Sequence, residues 1–104
     1  EAIEVRSPSF LREWFSPSEQ ALVGNDPLLQ NLAWSAKEAV LKALGQGMAL
    51  NPRNIHLESV EKDVLQVSLH GDVAQHHQKS GGGKIAVRWR PHNGLLWVDA
   101  QIAQ

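Results

Sequence analysis

The feature that most constrains the fold is an uninterrupted helical run between Asp26-Pro27 and Gly45. Asp26 is a favoured N-cap residue, Pro27 suits the first helical position, and glycine is common just past a helix C-terminus. The apolar side chains of this run cover nearly every face of the predicted helix: Leu28, Leu29, Leu32, Ala33, Trp34, Ala36, Ala39, Val40, Leu41, Ala43 and Leu44. A helix that is apolar all round is usually buried, so we expect it to cross the core.

Two shorter helices are predicted upstream from their N-terminal signals. Ser7-Pro8 supplies a capping hydroxyl followed by proline at the first helical position. Ser16-Pro17-Ser18-Glu19 has the spacing of a capping box, in which the serine and glutamate side chains bond to each other's backbone. We therefore expect a helix from Pro17 to Val23, ended by Gly24. Ala2 to Val5 is typical of a short edge strand.

The second half of the chain changes to a period of two. Beyond the loop from Gln46 to Asn54, polar residues alternate with apolar ones at Ile55 and Leu57, at Leu65, Val67 and Leu69, at Ile85, Val87 and Trp89, and at Leu96, Val98, Ala100 and Ile102. Such alternation is typical of half-buried strands. Turns at Glu61-Lys62-Asp63 and Pro91-His92-Asn93-Gly94 join these strands into two antiparallel hairpins, with one helical turn expected between Gly71 and Lys79. The chain is therefore predicted to be α+β, with helices packed on a small antiparallel sheet.

Length and composition favour a single domain, residues 1–104. With 42% hydrophobic and 20% charged residues, the chain should bury one ordinary core, and 104 residues are too few for two. A net charge of -1 gives no basic field, so neither nucleic acid nor a membrane surface is an expected partner. The sequence has no cysteine for a thiolate site and no apolar run of bilayer length. We expect a soluble, cytoplasmic domain, and the start at Glu1 without methionine suggests one lobe or fragment of a longer protein.

Charged residues on the long helix are the candidates for chemistry. Glu38 and Lys42 are four residues apart and so share one face, while Lys37 projects about 100° away from Glu38. One interpretation is a solvated ion pair worth about 0.3 to 0.5 kcal/mol, with Lys37 in water beside it. The other is that the apolar helix partly buries these charges, which then need a partner, a metal or an anion. The spacing alone leaves both interpretations open.

The segment W-S-A-K-E-A-V-L-K-A-L-G-Q-G, from Trp34 to Gly47, resembles a motif of the 4′-phosphopantetheinyl transferase superfamily, W-(S/A)-x-K-E-(A/S)-x-x-K. Phe15 to Glu19 resembles the family's F-(S/T)-x-x-E segment, at a fitting distance before the helix. Leu50-Asn51-Pro52, the hairpin beyond it and the Lys84 to Trp89 strand follow the family's order of elements. The resemblance thus covers most of the chain.

The resemblance implies an enzyme that moves the phosphopantetheine arm of coenzyme A onto a serine of an acyl or peptidyl carrier protein, with Mg²⁺. It makes Glu38 a magnesium ligand and candidate base, and it makes Lys37 and Lys42 candidates for phosphate contact or proton handling. Glu4 matches the second acid of the family's first strand, G-I-D-I-E, and is the other expected metal ligand. Ala2 stands where that strand has its aspartate.

The resemblance is to the C-terminal lobe of two-lobed, Sfp-like members. In those members the S-x-S-H-like segment that grips the nucleotide of coenzyme A belongs to an N-terminal lobe. In the small homotrimeric members of the family it lies near the C-terminus, but Lys84 to Gln104 contains no such segment. We therefore expect a second lobe or a homo-oligomer to complete the site. The alternative is a non-catalytic domain that docks carrier proteins or scaffolds a synthase, with a degenerate metal site.

Two other patterns have weaker functional interpretations. His76-His77, with His70 nearby, suggests a metal site, but adjacent histidines in a polar stretch are more often simply exposed. A basic strand face lies between Trp89 and Trp97 and carries Lys84, Arg88 and Arg90. It suits either docking of an acidic carrier protein or plain solvation, with single-stranded nucleic acid less favoured.

Overall fold

The structure, a computed structural model, describes residues 6–45 and 50–103, which leaves the predicted Ala2 to Val5 strand and Glu4 outside the described residues. The elements in chain order are α1 (Pro8–Trp14), α2 (Pro17–Val23), α3 (Pro27–Ala43), a 3₁₀ turn (Pro52–Asn54), β1 (Ile55–Glu61), β2 (Val64–Leu69), α4 (Gly71–Lys79), β3 (Lys84–His92) and β4 (Leu95–Ala103). The predicted fold class is confirmed: within these ranges, four helices and a four-stranded antiparallel sheet make an α+β domain.

Each of the first three helices begins where its capping signal predicts. The Ser7 hydroxyl accepts a hydrogen bond from the backbone N–H of Phe10, and Asp26 accepts one from Leu28 at 2.9 Å. Ser16 and Glu19 form the full capping box at the start of α2. These local bonds satisfy donors that every helix N-terminus leaves without an intrahelical partner. In the described ranges, no helix is long and apolar enough to cross a membrane.

The sheet has the order β1-β2-β3-β4, and each neighbouring pair is antiparallel. Both predicted hairpins are present. The second has a tighter turn than expected, because β3 continues to His92 and only Asn93 and Gly94 separate it from β4. These two residues have φ values of +51° and +75°, the left-handed pair that a two-residue hairpin turn of type I′ requires.

The core lies between α3 and one face of the sheet. Leu32, Ala33 and Val40 of α3 have no exposed surface, and they share one apolar cluster with inward-facing strand residues such as Ile55 and Val87. Burial of this helix agrees with its all-round apolar pattern. Among the described strands β4 lies at one end of the sheet order, and it is in contact with α3.

The helix between the hairpins is longer than the single turn expected, since α4 has 9 residues. Val73 is fully buried and anchors it to the core. Asp72 accepts hydrogen bonds from the Asn51 backbone at 3.1 Å and from the Asn54 side chain at 2.9 Å. The Asn54 bond is the main reason that the pKa of Asp72 lies below its usual value. A polar stretch that is unremarkable in sequence is thus held helical by tertiary contacts.

The same substitution at two leucines tests the position of the core. Leu32→Ala removes a fully buried side chain, and we expect it to lower the free energy of unfolding by about 2 to 5 kcal/mol. Leu22→Ala is the matched control, because Leu22 is 38% exposed and should cost about 1 kcal/mol or less. Urea denaturation measures both, and equal losses would contradict the assigned core.

Candidate active site

A cleft of about 580 Å³ lies between α3 and the edge strand β4. Its α3 wall consists of Ser35, Glu38, Ala39, Lys42 and Ala43, and its other wall is the β4 segment 96–100. The helical positions are three or four residues apart, so they form one stripe along α3. The structure therefore brings the predicted site residues Glu38 and Lys42 together on the wall of one cleft.

The cleft contains two carboxylates. Glu38 is half-buried, Lys42 is exposed one turn further along, and Asp99 of β4 is half-buried on the opposite wall. Sequence reasoning missed Asp99, since it placed this residue on a strand but had no means of telling that this strand would lie along α3. Carboxylate and hydroxyl oxygens are the hard donors that Mg²⁺ prefers, so Glu38 and Asp99 are chemically suited to hold that ion. The other predicted ligand, Glu4, lies outside the described residues.

Lys37, next to Glu38 in sequence, points into the core instead of the cleft. It is 1% exposed, and its Nζ donates hydrogen bonds to the Glu19 carboxylate at 2.8 Å, to the Pro52 carbonyl at 3.1 Å and to the Ile55 carbonyl. An ammonium group has three hydrogens to donate, and all three are used. The interpretation of Lys37 as a solvated lysine is therefore wrong. Its predicted contact with coenzyme A phosphates is also at odds with the structure, because Lys37 does not line the cleft.

Glu19 has a larger role than the helix cap that its spacing predicts. It is fully buried, and besides Lys37 it accepts hydrogen bonds from the backbone N–H groups of Ser16 at 3.1 Å and Leu57 at 2.9 Å. Burial lowers the pKa of Lys37, and the neighbouring Glu19 carboxylate opposes part of that shift. This network joins α2, α3, the 3₁₀ turn and β1, and so sets which face of α3 is turned to the cleft.

The tryptophan of the recognised motif packs α3 against α1. The Trp34 ring lies 5.0 Å from the Phe10 ring in an edge-to-face arrangement and 5.9 Å from the Trp14 ring. Aromatic pairs at these distances add about 0.5 to 1.5 kcal/mol beyond their buried area. Trp34 is therefore a structural residue of the motif, whose ring packs against α1.

Of the histidines noted in the sequence, His70 alone lies in a group of potential metal ligands. His70 lies against His56, with the two rings stacked and their centroids 3.9 Å apart, and Glu58 completes a group of three potential metal ligands. In the part of the chain that the structure describes, this is the only such group, so His76 and His77 belong to none. The pKa of His56 lies below its usual value, mainly because the ring is partly buried and also because His70 is close to it.

The basic face of β3 is exposed, as predicted. The Arg90 guanidinium lies 4.9 Å from the centre of the Trp97 ring, which is itself 45% exposed. Arg88 and Asp63 approach to 3.5 Å, but both are largely in water, so the pair adds little stability. Carrier-protein docking on this face stays a prediction.

The fold is that of a known enzyme structure. The crystal structure of Helicobacter pylori holo-[acyl-carrier-protein] synthase in complex with coenzyme A matches with a TM-score of 0.75, over 91% of this chain and 82% of that one. Sequence identity is 20%, so this likeness shows the fold alone. The protein therefore has the same α+β fold as this synthase, and its helix α3 lines a cleft with Glu38 and Lys42.

The sequence comparisons give the family. Residues 1–93 match the model of the 4′-phosphopantetheinyl transferase superfamily, and the chain therefore belongs to this superfamily. It is also 33% identical over 94 residues to the alpha subunit of fatty acid synthase from Saccharomyces cerevisiae. That match covers 83% of this chain but 5% of the yeast protein, so the chain spans a small part of this relative. The membership implied by the Trp34 to Gly47 motif is confirmed.

Removing Lys37 tests the buried network. Lys37→Met leaves the Glu19 carboxylate buried without its cation, and we expect a loss of about 3 to 5 kcal/mol in the free energy of unfolding. The double variant Glu19→Gln/Lys37→Met should be more stable than Lys37→Met alone, because no unpaired charge then remains in the core. Lys42→Met is the control and should change stability by about 0.5 kcal/mol or less. Urea denaturation measures the free energy of unfolding of each variant. A loss in Lys37→Met as small as that in Lys42→Met would contradict the buried network.

Proposed function

We propose that this protein transfers the 4′-phosphopantetheine arm of coenzyme A to a serine of an acyl or peptidyl carrier protein. The observation that carries the proposal is that Glu38 and Lys42 of the superfamily motif line one cleft, with Asp99 on its other wall. Membership of the superfamily supports the reaction class. The coenzyme A complex of the Helicobacter pylori synthase supports the donor, and the likeness to the yeast fatty acid synthase subunit supports an acyl carrier as acceptor.

In the proposed reaction the serine oxygen forms a bond to the phosphorus that bears the pantetheine arm, and the pyrophosphate bond to the nucleotide breaks. Glu38 is the proposed base, which takes the serine proton directly or through a water molecule. It is half-buried, which limits competition from bulk water at the point of proton transfer. Lys42 is exposed on the same stripe of α3, where its ammonium can meet the phosphates of an incoming coenzyme A.

Magnesium is the proposed cofactor, with Glu38 and Glu4 as its ligands and Asp99 as a further oxygen donor in the cleft. The ion would neutralise the charge that develops on the leaving pyrophosphate oxygen. This assignment uses hard oxygen donors together with substrate phosphates, which is the usual setting of Mg²⁺ in proteins.

A second lobe or a second copy of the chain is proposed to complete the site. Two walls of the cleft are α3 and β4, and β4 is the last of the described strands in the sheet order, so the described residues leave the cleft open on that side. The chain also matches only 5% of the yeast synthase subunit, so most of that relative lies outside the matched part. Transfer should therefore be assayed with the isolated chain at several concentrations and with candidate partner lobes.

Glu38→Gln should abolish transfer, because an amide neither accepts the serine proton nor supplies a negative ligand to Mg²⁺. The test is the mass increase of an apo acyl carrier protein incubated with the protein, coenzyme A and Mg²⁺. Glu13→Gln is the matched control, since Glu13 is an exposed acid of α1 outside the cleft, and it should retain full activity. The thermal midpoint of Glu38→Gln should stay near that of the unaltered protein.

Two results would count against this function. Absence of any modified carrier protein in every oligomer and with every partner lobe would favour the non-catalytic docking domain. Isothermal titration separates that alternative further, because a pure docking domain would bind the carrier protein but show no magnesium-dependent binding of coenzyme A. A Glu38→Gln variant with unchanged activity would remove Glu38 from the mechanism while leaving the fold assignment intact.

Lys42→Met should weaken binding of coenzyme A about tenfold or more, because hydrogen bonds to charged groups contribute about 1.5 to 3 kcal/mol. Isothermal titration in the presence of Mg²⁺ measures this change, using whichever assembly is active in the transfer assay. Lys79→Met is the matched control, since Lys79 is an exposed lysine of α4 outside the cleft and should leave affinity unchanged. Equal affinities for the two variants would contradict a phosphate contact by Lys42.

A further inference from the structure

Four polar side chains converge on the outer face of the first hairpin. Ile55 and Leu57 of β1 are buried, so His56 between them points to the opposite face of the sheet. His56 pairs with Ser68 in the β1–β2 ladder, and His70 follows two residues later on the same face. The ladder therefore brings together two histidines that are fourteen positions apart in sequence.

Glu58 joins this group because of a local irregularity in β1. The register shifts between Leu57 and Ser59, so Glu58 is the extra residue of a β-bulge. A bulge bends its strand and redirects a side chain, and here the Glu58 carboxylate accepts a hydrogen bond from the Ser68 hydroxyl. The same hydroxyl lies 2.9 Å from Nε2 of His70. Glu58 and His70 thus converge on one oxygen atom.

The side chain of His70 interacts with this group and does not cap the helix that follows it. It occupies the N-cap position of α4, yet its side chain makes no capping hydrogen bond. Its ring stacks on that of His56 instead, with the planes inclined by 26°. Its backbone is fixed by a 2.8 Å hydrogen bond from its N–H to the Asn54 carbonyl. The position of His70 is therefore set by the backbone, while its ring contacts only His56 and Ser68 among the contacts described above.

We propose that His56, Glu58 and His70 form a binding site for a zinc-type divalent transition-metal ion that clips β1 to β2. One ligand atom from each side chain lies within 4.8 Å of the other two. Tetrahedral Zn²⁺ with bonds near 2.0 to 2.2 Å places its ligand atoms about 3.4 Å apart, so closure needs a shift of about 1 Å or slightly more. Glu58 and His70 are exposed, so side-chain rotation can supply that shift.

The ligand set selects the class of metal and separates this site from the cleft. Two imidazoles and one carboxylate are a known zinc combination that leaves a fourth position for water, whereas Mg²⁺ prefers oxygen donors alone. The cleft lies along β4, which is at the other end of the order of described strands from β1. The histidine site is therefore not part of the proposed transfer machinery, and its metal would act on the stability of the hairpin.

The test is isothermal titration of Zn²⁺ into chelator-treated protein that carries no polyhistidine tag. We expect one ion per chain and an affinity that falls about tenfold or more in His70→Gln and in Glu58→Gln. His92→Gln is the matched control, because His92 is an exposed strand histidine outside the group, and it should bind like the unaltered protein. Circular dichroism confirms that each variant is folded before titration.

A second measurement ties binding to the hairpin. A ligand that binds only the folded state raises the thermal midpoint, so Zn²⁺ should raise that of the unaltered protein and of His92→Gln but not that of His70→Gln. The proposal is overturned if Zn²⁺ does not bind at micromolar concentration. It is equally overturned if binding survives in His70→Gln and Glu58→Gln and is lost when His76 and His77 are replaced. None of these outcomes depends on transfer activity.

Discussion

The buried ion pair between Glu19 and Lys37 is the interaction on which the rest of the structure depends. Placing two charges in a core is costly unless each is fully hydrogen-bonded, and both are: the lysine by one carboxylate and two carbonyls, the glutamate by that lysine and two backbone N–H groups. Its partners come from α2, α3, β1 and the chain just before β1. A shift of any one of these elements would leave a buried charge unpaired, so the pair specifies one arrangement of the helices on the sheet.

That arrangement explains why two adjacent charged residues of the motif have opposite environments. Consecutive helical residues are about 100° apart, so once Lys37 is directed into the core, Glu38 must point along the side of α3. Lys42 lies on the same stripe as Glu38 because it follows four residues later. The buried Lys37 thus fixes the direction in which Glu38 and Lys42 point. The motif therefore combines one structural lysine with two residues that line the cleft.

The sequence predicted the features that depend on neighbours in the chain. Caps at Ser7, Ser16 and Asp26 involve residues two or three positions away, and the strands follow from alternation, so helix starts and hairpins were correct. Features that depend on distant contacts were missed. The partner of Lys37 is 18 residues away, and the partner of His70 becomes visible only once the hairpin register is known. No local pattern indicates which lysine of the motif will be buried.

Among the described strands, the cleft carboxylates lie beside β4 and the histidine group lies on β1 and β2, and the chemistry of the two groups differs as well. Transition metals such as Zn²⁺ bind imidazole more tightly than Mg²⁺ does, whereas carboxylate oxygens suit Mg²⁺. A histidine pair at the β1 edge offers such an ion a better set of ligands than Glu38 and Asp99 do. Occupation of that edge would stabilise the hairpin whose first strand accepts the Lys37 hydrogen bond through Ile55. The first hairpin, the Glu19–Lys37 pair and the orientation of Glu38 are therefore linked through the hydrogen bonds of Lys37.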